Sequence, residues 1–143
     1  VADFGSQVAA WTTKAKARMV FVARYASTET AFAANVSKPE GRMPVYSGFL
    51  QASQNVGYGS MPSGPSEGPT LTATGFNWHD PIGDPSVVPA KIASWDLSTT
   101  LYVGWTAQYA NIQDNKNLFV SFGTRDWLKY VSQGVNRAKG AIA

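Results

Sequence analysis

The chain has one histidine, His79, and it stands beside an acid in the run Asn77-Trp78-His79-Asp80. A His-Asp pair does acid–base work when a nucleophile or a substrate proton lies within hydrogen-bond reach. Neighbouring side chains in an extended segment point apart, and no motif brings a nucleophile to this pair. A polar loop residue next to an aromatic anchor accounts for the same residues. The acids Asp80, Asp84, Asp96, Asp114 and Asp126 are scattered, without the paired spacing that a cation or a glycoside needs. Asp80 and Asp84 come nearest to a loop cation site, and weakly. Gly57-Tyr58-Gly59 has the glycines of a phosphate loop but lacks its following Lys and its strand–loop–helix setting, so it reads as a flexible turn. Cysteine is absent, which excludes disulfides and thiolate metal sites. The sequence therefore predicts no catalytic, cofactor-binding or metal-binding residue, no cofactor, and a protein that is not an enzyme.

Charge points elsewhere. The formal net charge is +3 and the isoelectric point is about 9.3. Lys14, Lys16, Arg18 and Arg24 cluster in the first part of the chain, and Lys129, Arg137 and Lys139 near its end. They are the candidates for a basic stripe facing nucleic acid through phosphate attraction. Two amphipathic helices with solvated faces explain them as well, and no aromatic residues interleave regularly as stacking platforms would. Charged residues make up only 15% of the chain, so the surface is largely Ser, Thr, Asn, Gln and Gly, which suits a protein packed against neighbours. Five Trp, six Tyr and seven Phe are many for this length. Trp78, Trp95, Tyr58 and Tyr109 fall in or beside loops, where aromatics serve as interface anchors. Binding or assembly thus outranks catalysis. Val1 to Gln7 has no signal-peptide pattern and no apolar run reaches membrane length, so a cytoplasmic product without membrane contact is expected.

The elements that must position these residues begin with a long helix. Phe4, Val8, Trp11, Ala15, Met19, Val22, Ala26, Ala33 and Val36 recur at steps of three, four or seven, the helical period. Asp3 suits the N-cap, and Gly5 is the one breaker before Pro39. Continuous from 4 to 36, this helix would be roughly 50 Å long and cross a whole face of the domain. Ser27, Thr28 and Thr30 are weaker helix formers and mark a place for a kink. After a loop at 39–44, Ser47-Gly48 reads as a turn into a short strand or helical turn. Between Gly57 and Pro69, seven of thirteen residues are Gly or Pro, which predicts an extended loop that is mobile or ordered by partners. Thr70 to Phe76 reads as a strand, and 80–90 as a second extended loop. Alternation of Trp95, Leu97, Thr99, Leu101, Val103 and Trp105 predicts a strand over 94–105. Phe119, Phe122, Trp127, Val131, Val135 and Ala138 share a stripe that predicts a closing helix, with Asn117, Ser121 or Thr124 as its cap. At 143 residues the chain is one domain. The fold class is α+β: a long N-terminal helix and a C-terminal helix packed on a small, mainly antiparallel sheet with long loops.

The run Pro44-Val45-Tyr46-Ser47-Gly48-Phe49-Leu50-Gln51-Ala52-Ser53 resembles a segment of the neck and tail-completion proteins of long-tailed phages. There a long N-terminal helix leads into Pro-Val-x-Thr/Ser-Gly-x-Leu-x-x-Ser, and Pro44, Val45, Ser47, Gly48, Leu50 and Ser53 occupy the fixed positions. Pro44 fixes the entry of the chain, Ser47 can bond a nearby backbone N–H, Gly48 supplies permissive backbone, and Leu50 points inward. Leu101-Tyr102-Val103-Gly104-Trp105, then Tyr109-Ala110, look like that family's late strand and Tyr-Ala step, and a closing helix over 124–139 matches too. One departure is that Tyr109-Ala110 leads into Asn111-Ile112-Gln113-Asp114, without the acid and glycine the family often shows there.

The resemblance implies a structural virion protein in a homo-oligomeric ring, a hexamer, at the head–tail junction. It would end the tail tube or join tail to head, next to tail-tube and head-connector or stopper proteins, around the channel through which genomic DNA passes. Lys14, Lys16, Arg18 and Arg24 are then the candidates to face that DNA. Ring contacts would be heterologous, with the long loops reaching adjacent subunits. Alternatives are a minor capsid or head-closure protein of the same fold, a sequence-independent DNA-binding domain, and a small hydrolase using His79 and Asp80.

Overall fold

A computed structural model describes residues 3–45, 48–64, 70–72, 75–77, 84 and 86–143. The first helix, α1 (Phe4–Ala34), is a single unbroken run. Its N-terminus is closed by the Asp3 carboxylate, whose Oδ1 accepts the Ser6 N–H at 2.6 Å, satisfying one of the orphan donors of the first turn. The hydroxyls of Thr12 and Thr13 bond back to the Val8 and Ala9 carbonyls at 2.9 and 3.0 Å, so these residues are accommodated inside the helix. α1 is not broken near Ser27 to Thr30. The helix stops two residues earlier than its apolar period suggests. Asn35 forms the C-cap, and the orphan carbonyl of Ala31 accepts the Gln54 side-chain amide at 2.8 Å.

From there the chain folds through a tight loop in which Met43 is fully buried and enters α2 (Phe49–Ala52). Strand β1 (Gln54–Tyr58) follows, then two short strands, β2 (Thr70–Thr72) and β3 (Gly75–Asn77), which pair antiparallel. Next come α3 (Val87–Ala93) and β4 (Leu101–Trp105). β4 pairs antiparallel with β1, with Gln54 opposite Trp105, Val56 opposite Val103 and Tyr58 opposite Leu101. Three helices close the chain: α4 (Ala110–Asn117), α5 (Phe119–Thr124) and α6 (Trp127–Ala141). The class is α+β, as the sequence predicts, with its strands in two separate two-stranded ribbons.

Several expectations need correction. The loop over 57–69 is shorter, since Gly57 and Tyr58 belong to β1. Its described part folds back on its own domain: the Gly59 N–H bonds the Thr100 carbonyl at 2.7 Å. Residues 65–69 lie outside the described set. The loop over 80–90 ends at Val87, where α3 begins with Pro89 in its first turn, a place where no amide hydrogen is required. The strand over 94–105 is reduced to its last five residues. Before it, Asp96 accepts the Ser98 N–H at 2.9 Å and Leu97 takes a left-handed φ of 68°, so local side-chain bonding replaces the ladder. The stripe from Phe119 to Ala138 spans two helices, and Leu118, with φ 57°, separates α4 from α5. None of Asn117, Ser121 or Thr124 caps a helix; the Val120 N–H in the first turn of α5 is taken by Asp114 at 3.0 Å.

The core forms in two adjoining clusters. Met43, Phe49, Leu50, Ala107 and Phe119 make one, with Trp105 and Tyr109 against it. Ala31, Val56, Val88 and Ile92 make the other, under Leu101 and Val103. Trp105 and Phe119 meet edge to face at 4.9 Å between centroids, the preferred aromatic geometry. Helices cross closely where side chains are absent. A Cβ on Gly123 would come within 2.7 Å of the Ala34 Cα, and one on Gly134 within 3.1 Å of the Tyr25 ring. α6 therefore lies antiparallel along α1, tied by Tyr25 to Gln133 and by Arg18, whose Nε donates to the Ile142 carbonyl at 2.9 Å.

Candidate functional site

α6 runs out at Ile142, opposite Arg18, but α1 continues for more than three turns beyond that point. That overhang is about 20 Å long, and all residues from Asp3 to Trp11 in it are exposed. It carries Phe4, Val8 and Trp11, exposed by 81%, 43% and 70%. At helical spacing these are the start of the same stripe that Ala26 buries completely further along. One continuous apolar face is thus covered over its later part and bare over its first.

A groove opens at the other end of α1. It has a volume of about 700 Å³, with Ala31, Ala34, Leu101, Val103, Trp105 and Val120 among the residues lining it. Leu97 and Trp127 stand at its margin, each about two-fifths exposed at 36% and 39%. Thr30 also lines the groove, and its hydroxyl is the one buried side-chain polar atom without a hydrogen-bond partner among the described residues. The groove lining itself holds no acid; Glu29, Asp96 and Asp126 precede the lining residues Thr30, Leu97 and Trp127 in the chain.

The residues singled out by the sequence distribute as follows. Gly48, with φ 83°, is the N-cap of α2, and Leu50 and Ser53 are buried. The Ser53 hydroxyl donates to the Leu50 carbonyl at 2.7 Å, and the Ser53 carbonyl accepts the Thr106 N–H at 3.1 Å. These residues build a corner that holds β4 against α2. Pro44 is half-buried and Val45 exposed, while Ser47 lies outside the described residues. Lys14 and Lys16 are exposed, Arg18 and Arg24 half-buried. At about 100° per residue Lys14 and Arg18 share one face of α1, Lys16 lies on the opposite side and Arg24 between them. Arg18 is tied to the Ile142 carbonyl and Arg24 to that of Trp95 at 2.6 Å, so only the two lysines are presented to solvent.

Trp78, His79 and Asp80 are outside the described residues. Among the described ones no cluster of three or more His, Cys, Asp or Glu is placed to hold a metal, and no helix is long and apolar enough to cross a membrane. Three carboxyls lie below the usual carboxylate range, each through hydrogen bonding to a serine: Asp3 to Ser6, Asp84 to Ser86 and Asp96 to Ser98. Burial raises the Tyr109 and Tyr130 hydroxyls above theirs. These shifts belong to turns and packing. Of the expected aromatic anchors, Tyr109 packs on Phe49 in the core, Trp95 is half-buried and donates to the Thr99 carbonyl at 2.7 Å, and Tyr58 bonds the Lys91 carbonyl. Tyr58 is exposed, and the other exposed aromatics among the described residues are Phe4, Trp11, Phe32 and Trp127. Sequence periodicity marks Phe4 and Trp11 as one face; that both stay exposed is a property of the fold.

Comparison with protein-family models, with curated proteins and with solved structures gives no match to this chain. What the geometry defines by itself is an α+β domain with a projecting apolar arm and an open apolar groove.

Proposed function

We propose that the chain is a structural virion protein that assembles as a ring at the head–tail junction of a long-tailed phage. There it ends the tail tube, joins tail to head, or does both, around the DNA channel. The motif from Pro44 to Ser53 and the order of long helix, small sheet and closing helix support this reading. The observation that carries it is the bare stripe of Phe4, Val8 and Trp11. Large apolar side chains aligned on a rigid helix beyond the edge of the domain cost solubility unless assembly covers them.

A sequence-independent DNA-binding domain is the second reading, and exposed Lys14 and Lys16 favour it. It requires the isolated subunit to bind duplex DNA with a steep salt dependence. A minor capsid or head-closure role would use the same surfaces. Electron microscopy of particles made without the gene separates these. Filled heads beside detached tails are expected for a joining role and overlong tails for a terminator. Particles of normal form would sink the neck reading and move DNA binding to the front.

A further inference from the structure

We infer that β4 is an open sheet edge and takes up an extended strand of a partner protein, one with aliphatic side chains at every second position. The inference concerns a surface that the ring reading does not use, and it stands or falls without that reading.

The register of the β1–β4 ribbon fixes which backbone groups are free. Just beyond its ends, the Thr106 N–H bonds the Ser53 carbonyl at 3.1 Å and the Gly59 N–H bonds the Thr100 carbonyl at 2.7 Å. Hydrogen-bonded and open pairs alternate in an antiparallel ladder, so Asn55 with Gly104 and Gly57 with Tyr102 are the bonded pairs. Gln54, Val56 and Tyr58 on β1, and Leu101, Val103 and Trp105 on β4, therefore turn their N–H and C=O groups outward. The two outer edges differ. On β1 the Val56 N–H is taken by Asn55 Oδ1 at 2.8 Å, and α3 packs along the strand. On β4 the outward groups of Leu101, Val103 and Trp105 have no hydrogen-bond partner among the described residues, and β1 is the one described strand paired with it.

Edges that must stay unpaired carry charges, prolines or bulges that block a further strand. β4 has none of these. From Leu97 to Gln113 there is no charged residue and no proline, and the pairing with β1 runs without a bulge. The occupant follows from the backbone and from the groove beside it. Outward N–H and C=O groups at a two-residue repeat are matched by an extended polypeptide, and not by a helix, whose amides bond internally. Leu101, Val103 and Trp105, which share one face of β4, line the groove with Ala31 and Val120, and no lining residue is charged. A strand added to β4 lays every second side chain beside those of Leu101, Val103 and Trp105. That set is therefore aliphatic and uncharged.

The test is NMR amide exchange and titration of the purified chain with a synthetic peptide of alternating valine and threonine, closed by a lysine at each end. About seven residues span β4 at about 3.3 Å per residue. In the free chain the Tyr102 and Gly104 amides should exchange slowly and those of Leu101, Val103 and Trp105 fast. The peptide should bind at or below about 1 mM and slow exchange of the second set at least about tenfold. N-methylation at the valines, whose amides face β4 when the strand adds antiparallel, should weaken binding at least about tenfold. The same change at the threonines, whose amides point away, should weaken it less. In the protein, Val103→Pro removes an outward donor and no bond to β1. It should weaken binding by a similar factor with far-UV circular dichroism unchanged. If that variant does not fold, the two N-methylated peptides test the ladder on the wild-type chain. Slow exchange at Leu101, Val103 and Trp105 in the dilute free chain overturns the proposal, because the edge is then covered. So does absence of binding, or an equal effect of the two N-methylated peptides. Protection that appears only as chain concentration rises would overturn the partner strand and give the edge to a second copy.

Discussion

Asn35 and Gln51 hold each other's backbone. The Asn35 side-chain amide donates to the Gln51 carbonyl at 3.1 Å, and the Gln51 amide donates to the Asn35 carbonyl at 2.8 Å. Trp105 completes the arrangement by donating its indole N–H to Asn35 Oδ1 at 3.0 Å. One half-buried residue at the end of α1 thus ties together α1, α2 and β4. Asn35→Ala leaves the Gln51 carbonyl and the Trp105 indole without these partners, and should cost about 2–3 kcal/mol in urea unfolding. Gln51→Ala should cost less. The double variant should fall short of the sum, because both residues belong to one network.

Glycines of the C-terminal helices should respond in opposite directions to Ala. At Gly123 a Cβ meets α1 backbone, and Gly123→Ala should destabilise by about 1–3 kcal/mol. At Gly140 a Cβ meets nothing within 4 Å, so Gly140→Ala should gain up to about 1 kcal/mol from helix propensity. Thermal unfolding of the two variants decides it. Equal effects would mean that α5 does not cross α1 as closely as described.

Phe119 is 1% exposed and packs edge to face on Trp105. Phe119→Ala should therefore lose about 3–5 kcal/mol. Trp11→Ser, at an exposed position, should stay within about 0.5 kcal/mol of the wild type when measured on dilute monomer. Comparable losses from both variants in urea would place Trp11 in the core and remove the arm.

Acid should weaken the turns first. Asp3, Asp84 and Asp96 have folded-state values below their ordinary ones, so the unfolded chain binds protons more readily than the folded one. Their contribution is complete above the ordinary carboxylate value of about 3.9 and is lost as pH falls through the lowered folded values. Amide exchange at Ser6 and Ser98 should accelerate over that window. Asp3→Asn should flatten the response at Ser6 alone, because an amide oxygen can still cap but does not titrate.

What could be read from the chain was whatever is set within a few residues. The long helix and its Asp3 cap, the α+β class, the corner at Gly48 and the closing amphipathic helix follow from spacing and local hydrogen-bonding chemistry. Alternation misled over 94–100, where Asp96 and Trp95 satisfy neighbouring backbone groups and leave a turn in place of a strand. Composition misled at 87–90, because a proline in the first turn of a helix looks the same in sequence as one in a loop.

Packing decided the rest. The apolar stripe of α1 reads as one core face from Phe4 to Val36, and sequence alone has no means of saying where the covering elements stop. The described α6 runs along α1 as far as Arg18, in the direction set by the close crossings at Gly123 and Gly134. The groove has no sequence signature, because its walls come from α1, β4 and α5, far apart along the chain. Period and capping energy are local and show in the residues themselves. Which apolar surface stays bare depends on contacts between distant segments, and only the folded chain brings those segments together.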